Sequence, residues 1–153
     1  MHYTATHQAV YRGMSIPSAN IDQFLDDHEP GSIGYWPQFC SSTKSYSVAS
    51  DFAKVDTDKN NKAYKTIMKI FLTSNNNPKT HIDLIHGNII QGADESDLSF
   101  YIGEEEVLLF PYFAYQVLRI EEKFIKEKNT YLKTIVMIEL PFQNLLKINK
   151  NIE

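Results

Sequence analysis

The sequence predicts a strand-rich α+β domain, and three features carry that prediction. Apolar residues recur at helical spacing only in the N-terminal half, at Ile21, Phe24 and Leu25 and again at Val48, Ala49, Phe52 and Ala53. After residue 60, β-branched and aromatic residues gather into extended runs separated by Asn, Pro and charged segments. No helix alternates regularly with those runs, which separates an α+β arrangement from a doubly wound parallel sheet.

Taken in order, residues 8–12 form a short strand ended by Gly13, and residues 20–27 a short helix stopped before Pro30. Residues 32–38 are turn-rich. Phe39 and Cys40 form an extended element that gives way to a loop at Ser41-Ser42-Thr43. Ser45 caps a helix of about three turns whose apolar face runs from Val48 to Val55. Residues 56–62 are polar and loop-like, and 63–73 make a central strand broken by Asn75-Asn76-Asn77-Pro78. Residues 80–85 supply another short strand, and the glycine-containing stretch 87–103 a folded loop. Strands at 105–110, 113–121 and 130–140 follow, the first halted by Pro111. The charged stretch 121–128 between the last two is a solvent-facing turn or extension, or a binding surface.

A chain of 153 residues with 42% hydrophobic residues fits one domain, 1–153, with a core of its own. Its formal charge of -4 provides no broad attraction for nucleic acid or an anionic membrane, so neither is an expected partner. The lone Cys40 excludes an internal disulfide and a cysteine metal cluster, and suits a reducing compartment. His2, His7, His28, His81 and His86 lack compact metal-ligand spacing, although His81 and His86 flank Asp83. No metal is expected. No apolar run approaches the ~20 residues that span a bilayer, and no secretory leader is visible. The expectation is a soluble chain that acts in the cytoplasm, its own or that of a host. No Gly-x-Gly-x-x-Gly follows an early strand, which disfavours a Rossmann dehydrogenase. No Walker sequence or Gly-x-Ser-x-Gly elbow is present either.

Three segments can carry chemistry. The chain has thirteen lysines and two arginines, and Arg12 ends a strand beside Gly13. A guanidinium offers a rigid donor fork for phosphate, and glycine lets a ligand approach the backbone. A strand-end arginine also serves as an ordinary ion-pair residue. Ser41, Ser42 and Thr43 can orient a carboxylate or simply satisfy local backbone groups. Glu104, Glu105 and Glu106 open an apolar strand, and alternation puts Glu104 and Glu106 on one face. Such a pair can hold a sugar hydroxyl, stabilise developing positive charge and engage a nucleophile. It can equally be a solvated edge.

In combination, Tyr11-Arg12-Gly13, Phe39-Cys40-Ser41-Ser42-Thr43 and Glu104-Glu105-Glu106-Val107-Leu108-Leu109-Phe110-Pro111 resemble, in order, the three motifs of the mono-ADP-ribosyltransferases of the arginine, serine, glutamate class. The likeness extends through residues 34–52 and 113–117, and covers residues 8–140 in outline. Ser-Ser-Thr replaces that family's usual Ser-Thr-Ser, and Ser41 and Glu106 stand farther apart in sequence than in compact relatives.

The resemblance implies an ADP-ribosyltransferase-like split β-sandwich with a reduced N-terminal helical region, in which another segment or an activating partner completes one wall of the cleft. It implies a transferase of the toxin and effector kind, using NAD to modify arginine on a protein acceptor and releasing nicotinamide. Residue by residue, Arg12 would hold the NAD phosphates, the Gly13 backbone the nicotinamide amide, and Phe52 would pack on the nicotinamide ring. Ser41 would position the catalytic Glu106, which bonds the ribose 2'-OH. Glu104 and Tyr101 would meet the acceptor. An NAD glycohydrolase using nearly the same site, and a non-catalytic NAD-binding or protein-interaction domain, are the alternatives.

Overall fold

The computed structural model describes residues 8–16, 20–58, 60–73, 81–83 and 106–140. Nine strands and two α-helices make up these residues, together with a 3-10 turn at Lys126–Lys128. In chain order they are β1 (Gln8–Gly13), α1 (Ile21–Asp27), β2 (Ile33–Trp36), β3 (Cys40–Thr43), α2 (Tyr46–Phe52), β4 (Val55–Thr57), β5 (Ala63–Leu72), β6 (His81–Asp83), β7 (Glu106–Leu109), β8 (Phe113–Ile125) and β9 (Thr130–Glu139). The class is α+β, as expected.

The strands lie in the order β2-β8-β9-β5-β1-β3-β7-β6, with β4 on β5. All pairings are antiparallel except β5 with β9, which run parallel from Tyr64 opposite Tyr131 to Phe71 opposite Ile138. The curled sheet splits at one place. β1 pairs with β5 along its whole length, from Gln8 opposite Leu72 to Gly13 opposite Ile67. Its pairing with β3 is confined to Tyr11 opposite Thr43. The two halves part beyond that pair, so backbone that would otherwise close a ladder is free to face a ligand. This is a split β-sandwich.

Alternation along the strands fills the space inside the curl. Val10, Met68, Ile70, Leu72, Val107, Leu109, Val117, Ile135 and Met137 form one buried cluster drawn from both halves. On the other face of β1 and β5, Ala49 and Ala53 pack on the fully buried Ile67, with Tyr11 and Leu132 alongside. α2 starts where Ser45 Oγ accepts from Val48 N at 3.3 Å, the cap its sequence called for.

Several local expectations change. Residues 33–36, expected to be turn-rich, form β2, because Ile33 to Trp36 pair with Gln116 to Phe113. Ser41, Ser42 and Thr43 lie within β3 rather than in a loop, held by pairing with Leu108, Val107 and Glu106. α2 is shorter than expected: Ala53 turns extended at φ -70°, ψ 129°, and Val55 joins β4, 56% exposed. Helical periodicity could not reveal that β5 captures residues 55–57. The charged stretch after residue 121 continues β8 to Ile125 before the 3-10 turn and Asn129, which takes the left-handed conformation at φ 49°.

Candidate active site

The split between β1 and β3 gathers residues of the first and second motifs and Glu106 of the third. Arg12 follows Tyr11, the last residue that bridges to β3, and its Nη1 donates to the Ser41 carbonyl at 2.6 Å. That bond spans the opening where the ladder has ended. The guanidinium carbon also stands 5.7 Å from the centroid of the Trp36 ring, a cation-π distance that fixes its second side. Arg12 is thus held by contacts to two strands other than its own.

Glu106 opens β7 directly opposite Thr43 and is only 7% exposed. Ser41, two residues before Thr43 and on the same face, donates its hydroxyl to Glu106 Oε1 at 2.6 Å. A short bond to a carboxylate in a site of low polarity is worth about 1.5–3 kcal/mol and holds the carboxylate in one orientation. Ser42 faces the other way, its Oγ donating to the Val107 carbonyl at 2.7 Å. Thr43 Oγ1 accepts from Ser45 N at 3.0 Å, which ties β3 to the start of α2. Ser41 thus reaches the carboxylate, Ser42 the backbone of β7, and Thr43 the start of α2.

These groups line one open cavity of about 440 Å3 between the split and α2. Arg12, Gly13, Ser41, Phe52 and Glu106 all border it, so the fold brings together five of the seven residues singled out from sequence. Phe52 is 56% exposed at its rim rather than buried in the core. Gly13 has a structural reason of its own: a Cβ there would overlap the Ala49 carbonyl oxygen and lie 2.6 Å from the Ala53 nitrogen. Its lack of a side chain lets α2 approach β1, and so sets the distance between Phe52 and the split. Glu104 and Tyr101 lie outside the described residues.

Sequence reasoning gave no site role of their own to Tyr11, Val48 and Ala49, which also line this cavity. Thr43, weighed from sequence as one of three hydroxyls, stands opposite Glu106 through the register of β3 with β7. Trp36 was missed, although it is the single tryptophan of the chain. Among the described residues no cluster of His, Cys, Asp and Glu is arranged to hold a metal, and no helix is long and apolar enough to cross a membrane.

The fold has counterparts among solved structures. Vis in complex with agmatine, described as an ADP-ribosyltransferase, superposes with a TM-score of 0.55 at 18% identity, covering 90% of this chain and 51% of that one. Vis toxin, an ADP-ribosyltransferase from Vibrio splendidus, gives 0.53 at 17% identity, with 90% and 50% covered. The ATR domain of Salmonella SpvB gives 0.52 at 18% identity, with 90% and 64% covered. The chain has the ADP-ribosyltransferase fold. It spans about half the length of the Vis chains it matches. No family model and no curated protein sequence matches it. Within the ADP-ribosyltransferase fold described here, the split in the sheet and the Arg12-Ser41-Glu106 chain of contacts coincide.

Proposed function

We propose that this chain cleaves NAD at the nicotinamide-ribose bond and transfers ADP-ribose to an arginine side chain of a protein acceptor. The observation that carries the reading is the connected set at the split: Arg12 bonded to the Ser41 carbonyl, and the Ser41 hydroxyl bonded to the buried Glu106. The donor set suits the substrate. A guanidinium fork matches a pyrophosphate, and a carboxylate fixed by a hydroxyl matches a ribose hydroxyl.

In this reading Arg12 leaves part of its contact with Ser41 to hold the pyrophosphate. Gly13 offers backbone to the nicotinamide amide, while Phe52 packs on its ring. Glu106 accepts from the 2'-OH and stabilises the positive charge that develops at the anomeric carbon as nicotinamide leaves with the bonding electrons. Ser41 prevents its carboxylate from rotating. A guanidinium nitrogen of the acceptor then forms the new bond to that carbon, and Glu104 takes its proton as the bond forms. Prior loss of that proton would be too costly, since arginine's pKa exceeds ~12. Tyr101 is assigned to the acceptor contact. The agmatine carried by Vis, a guanidinium compound, supports this choice of acceptor chemistry, and the toxin among the similar structures supports a role as toxin or effector.

The test is to incubate the purified chain with NAD and agmatine, measuring nicotinamide release and the mass of agmatine. ADP-ribosylated agmatine is the expected product. Nicotinamide release with free ADP-ribose alone would replace the reading with an NAD glycohydrolase, and NAD binding without release with a non-catalytic NAD-binding domain.

A further inference from the structure

β2 ends the sheet, with β8 on one side and, among the described residues, no strand on the other. The bonds around it show which of its backbone groups face outward. Leu140 N donates to the Ala114 carbonyl, so Ala114 faces away from β2. Val117 N donates to the Ser32 carbonyl, and Tyr112 N to the Trp36 carbonyl at 2.6 Å. By alternation Gly34 and Trp36 bond to β8, while the N–H and C=O groups of Ile33 and Tyr35 point away from it. The side chains of Ile33 and Tyr35 are exposed on one face. The exposed Tyr112 sets its ring 6.0 Å from that of Tyr35. Its backbone is left-handed at φ 65°, a costly conformation for a tyrosine, and it holds the ring at this edge. Residues 31–43 and 107–118, which include β2 and the turn beside it, contain no charged residue.

An open, uncharged edge is a template for another strand, and β2 carries no Lys, Pro or bulge to prevent pairing. The edge is complementary to itself. About a two-fold axis at Gly34, Ile33 lies opposite Tyr35 of the second copy and Tyr35 opposite Ile33 of that copy, and each pair exchanges both N–H···O=C bonds. Their side chains then meet as β-branched against aromatic on one face, a favourable cross-strand combination. Gly34 meets Gly34 in the non-hydrogen-bonded pair, where the backbones come closest, with no side chain between them. Other registers waste the outward groups. An axis at Ile33 sets Tyr35 against Gly31, whose N–H already donates to the Val117 carbonyl, and an axis at Tyr35 sets Ile33 against Pro37, which has no N–H. The chain's net charge of -4 resides outside this face, so nothing on it repels a copy. We propose that β2 pairs antiparallel with β2 of a second copy of this chain, about a two-fold axis at Gly34, making one sheet continuous through the dimer. The pairing is independent of the activity proposed above.

Analytical ultracentrifugation of the full chain, with amide exchange followed by NMR, tests the pairing. The weight-average mass is expected to rise toward twice the 17.7 kDa of one chain between about 1 and about 200 µM, the range of a small interface. Over the same range, exchange of the Ile33 and Tyr35 amides is expected to slow at least about tenfold, while that of Gly34, already bonded to β8, stays as it was. Gly34 itself is left in place, since a Cβ there would meet the Tyr115 hydroxyl. Ile33→Pro removes an outward donor without touching the β8 ladder, and Tyr35→Lys puts a charge on each side of the axis. Each is expected to weaken the dimer about tenfold or more while circular dichroism stays parental. Phe124→Lys, at an exposed aromatic outside this edge, is expected to leave association unchanged. Should the proline variant fail to fold, Tyr35→Lys and the amide exchange decide. A chain that stays monomeric throughout overturns the proposal and leaves the edge to an extended strand of another protein. A dimer that tolerates Tyr35→Lys, or one whose Ile33 and Tyr35 amides exchange as fast as in the monomer, overturns it as well.

Discussion

Ser41 and Glu106, 65 residues apart in the chain, are joined by a 2.6 Å hydrogen bond from hydroxyl to carboxylate. The register of β3 against β7 sets Thr43 opposite Glu106 and leaves Ser41 on the same face, near enough to reach it. A one-residue slip of that register would turn Ser41 to the opposite face and replace it with a neighbour.

Glu106→Gln retains size and hydrogen-bonding capacity but not charge. Nicotinamide release and ADP-ribose transfer should both fall by about 10²–10³-fold or more, the range for loss of one preorganised electrostatic group. Circular dichroism should remain that of the parent. Transfer at the parental rate would remove Glu106 from the reaction.

Glu104→Ala separates the two half-reactions. Nicotinamide release should persist while ADP-ribosylation of agmatine drops by about tenfold or more, as expected from loss of a general base. Equal loss of both would assign Glu104 to cleavage instead.

Ser41→Ala removes the bond that orients Glu106. A loss of about 1.5–3 kcal/mol of orientation corresponds to a kcat roughly ten- to a hundredfold lower. Ser41→Thr, which keeps the hydroxyl, should recover much of it. A variant in which only KM changes would speak for a substrate contact rather than a positioning one.

Gly13→Ala forces a methyl group into the backbone of α2 at Ala49 and Ala53. Backbone atoms cannot swing aside as a flexible side chain does, so the helix must move. The expected destabilisation is about 1–3 kcal/mol, or roughly 2–4 °C of thermal midpoint per kcal/mol. An unchanged midpoint would show that α2 relaxes without cost.

Burial pushes the Cys40 thiol above its ordinary 9.0, against a smaller lowering by the Arg12 cation. Burial also raises the phenols of Tyr46 and Tyr115 above 10.0, with Tyr11 adding to the first and Asp27 and then Cys40 to the second. As pH rises, the unfolded chain gives up these protons first, so the folded chain binds more of them and stability falls with pH. Stability from these groups is complete below about pH 9 and declines as pH passes 9 and then 10. The midpoint of urea unfolding, measured between pH 8 and pH 11, should follow that course, and Cys40→Ala should delay its onset. A flat profile to pH 11 would contradict it.

Local chemistry made the strand-rich class, the Ser45 cap and the segments bearing Arg12, Ser41 and Glu106 legible in the sequence, since helical spacing, β-branched runs and hydroxyl or carboxylate clusters are all short-range signals. The same signals misread residues 33–36 and the end of α2, where the deciding partners, β8 and β5, are remote in sequence. They also passed over Trp36, whose importance exists only through ring contact, and could not place Thr43 opposite Glu106, which register decides. The sequence by itself determined which groups were available for chemistry. Tertiary structure alone decided that β1 and β3 part after a single pair, that Arg12 spans the gap, and that the Ser41 hydroxyl reaches the Glu106 carboxylate. The reason is physical: a strand's side chains alternate at fixed spacing, but which strand lies beside it, and in what register, is settled by burial of residues drawn from the whole chain.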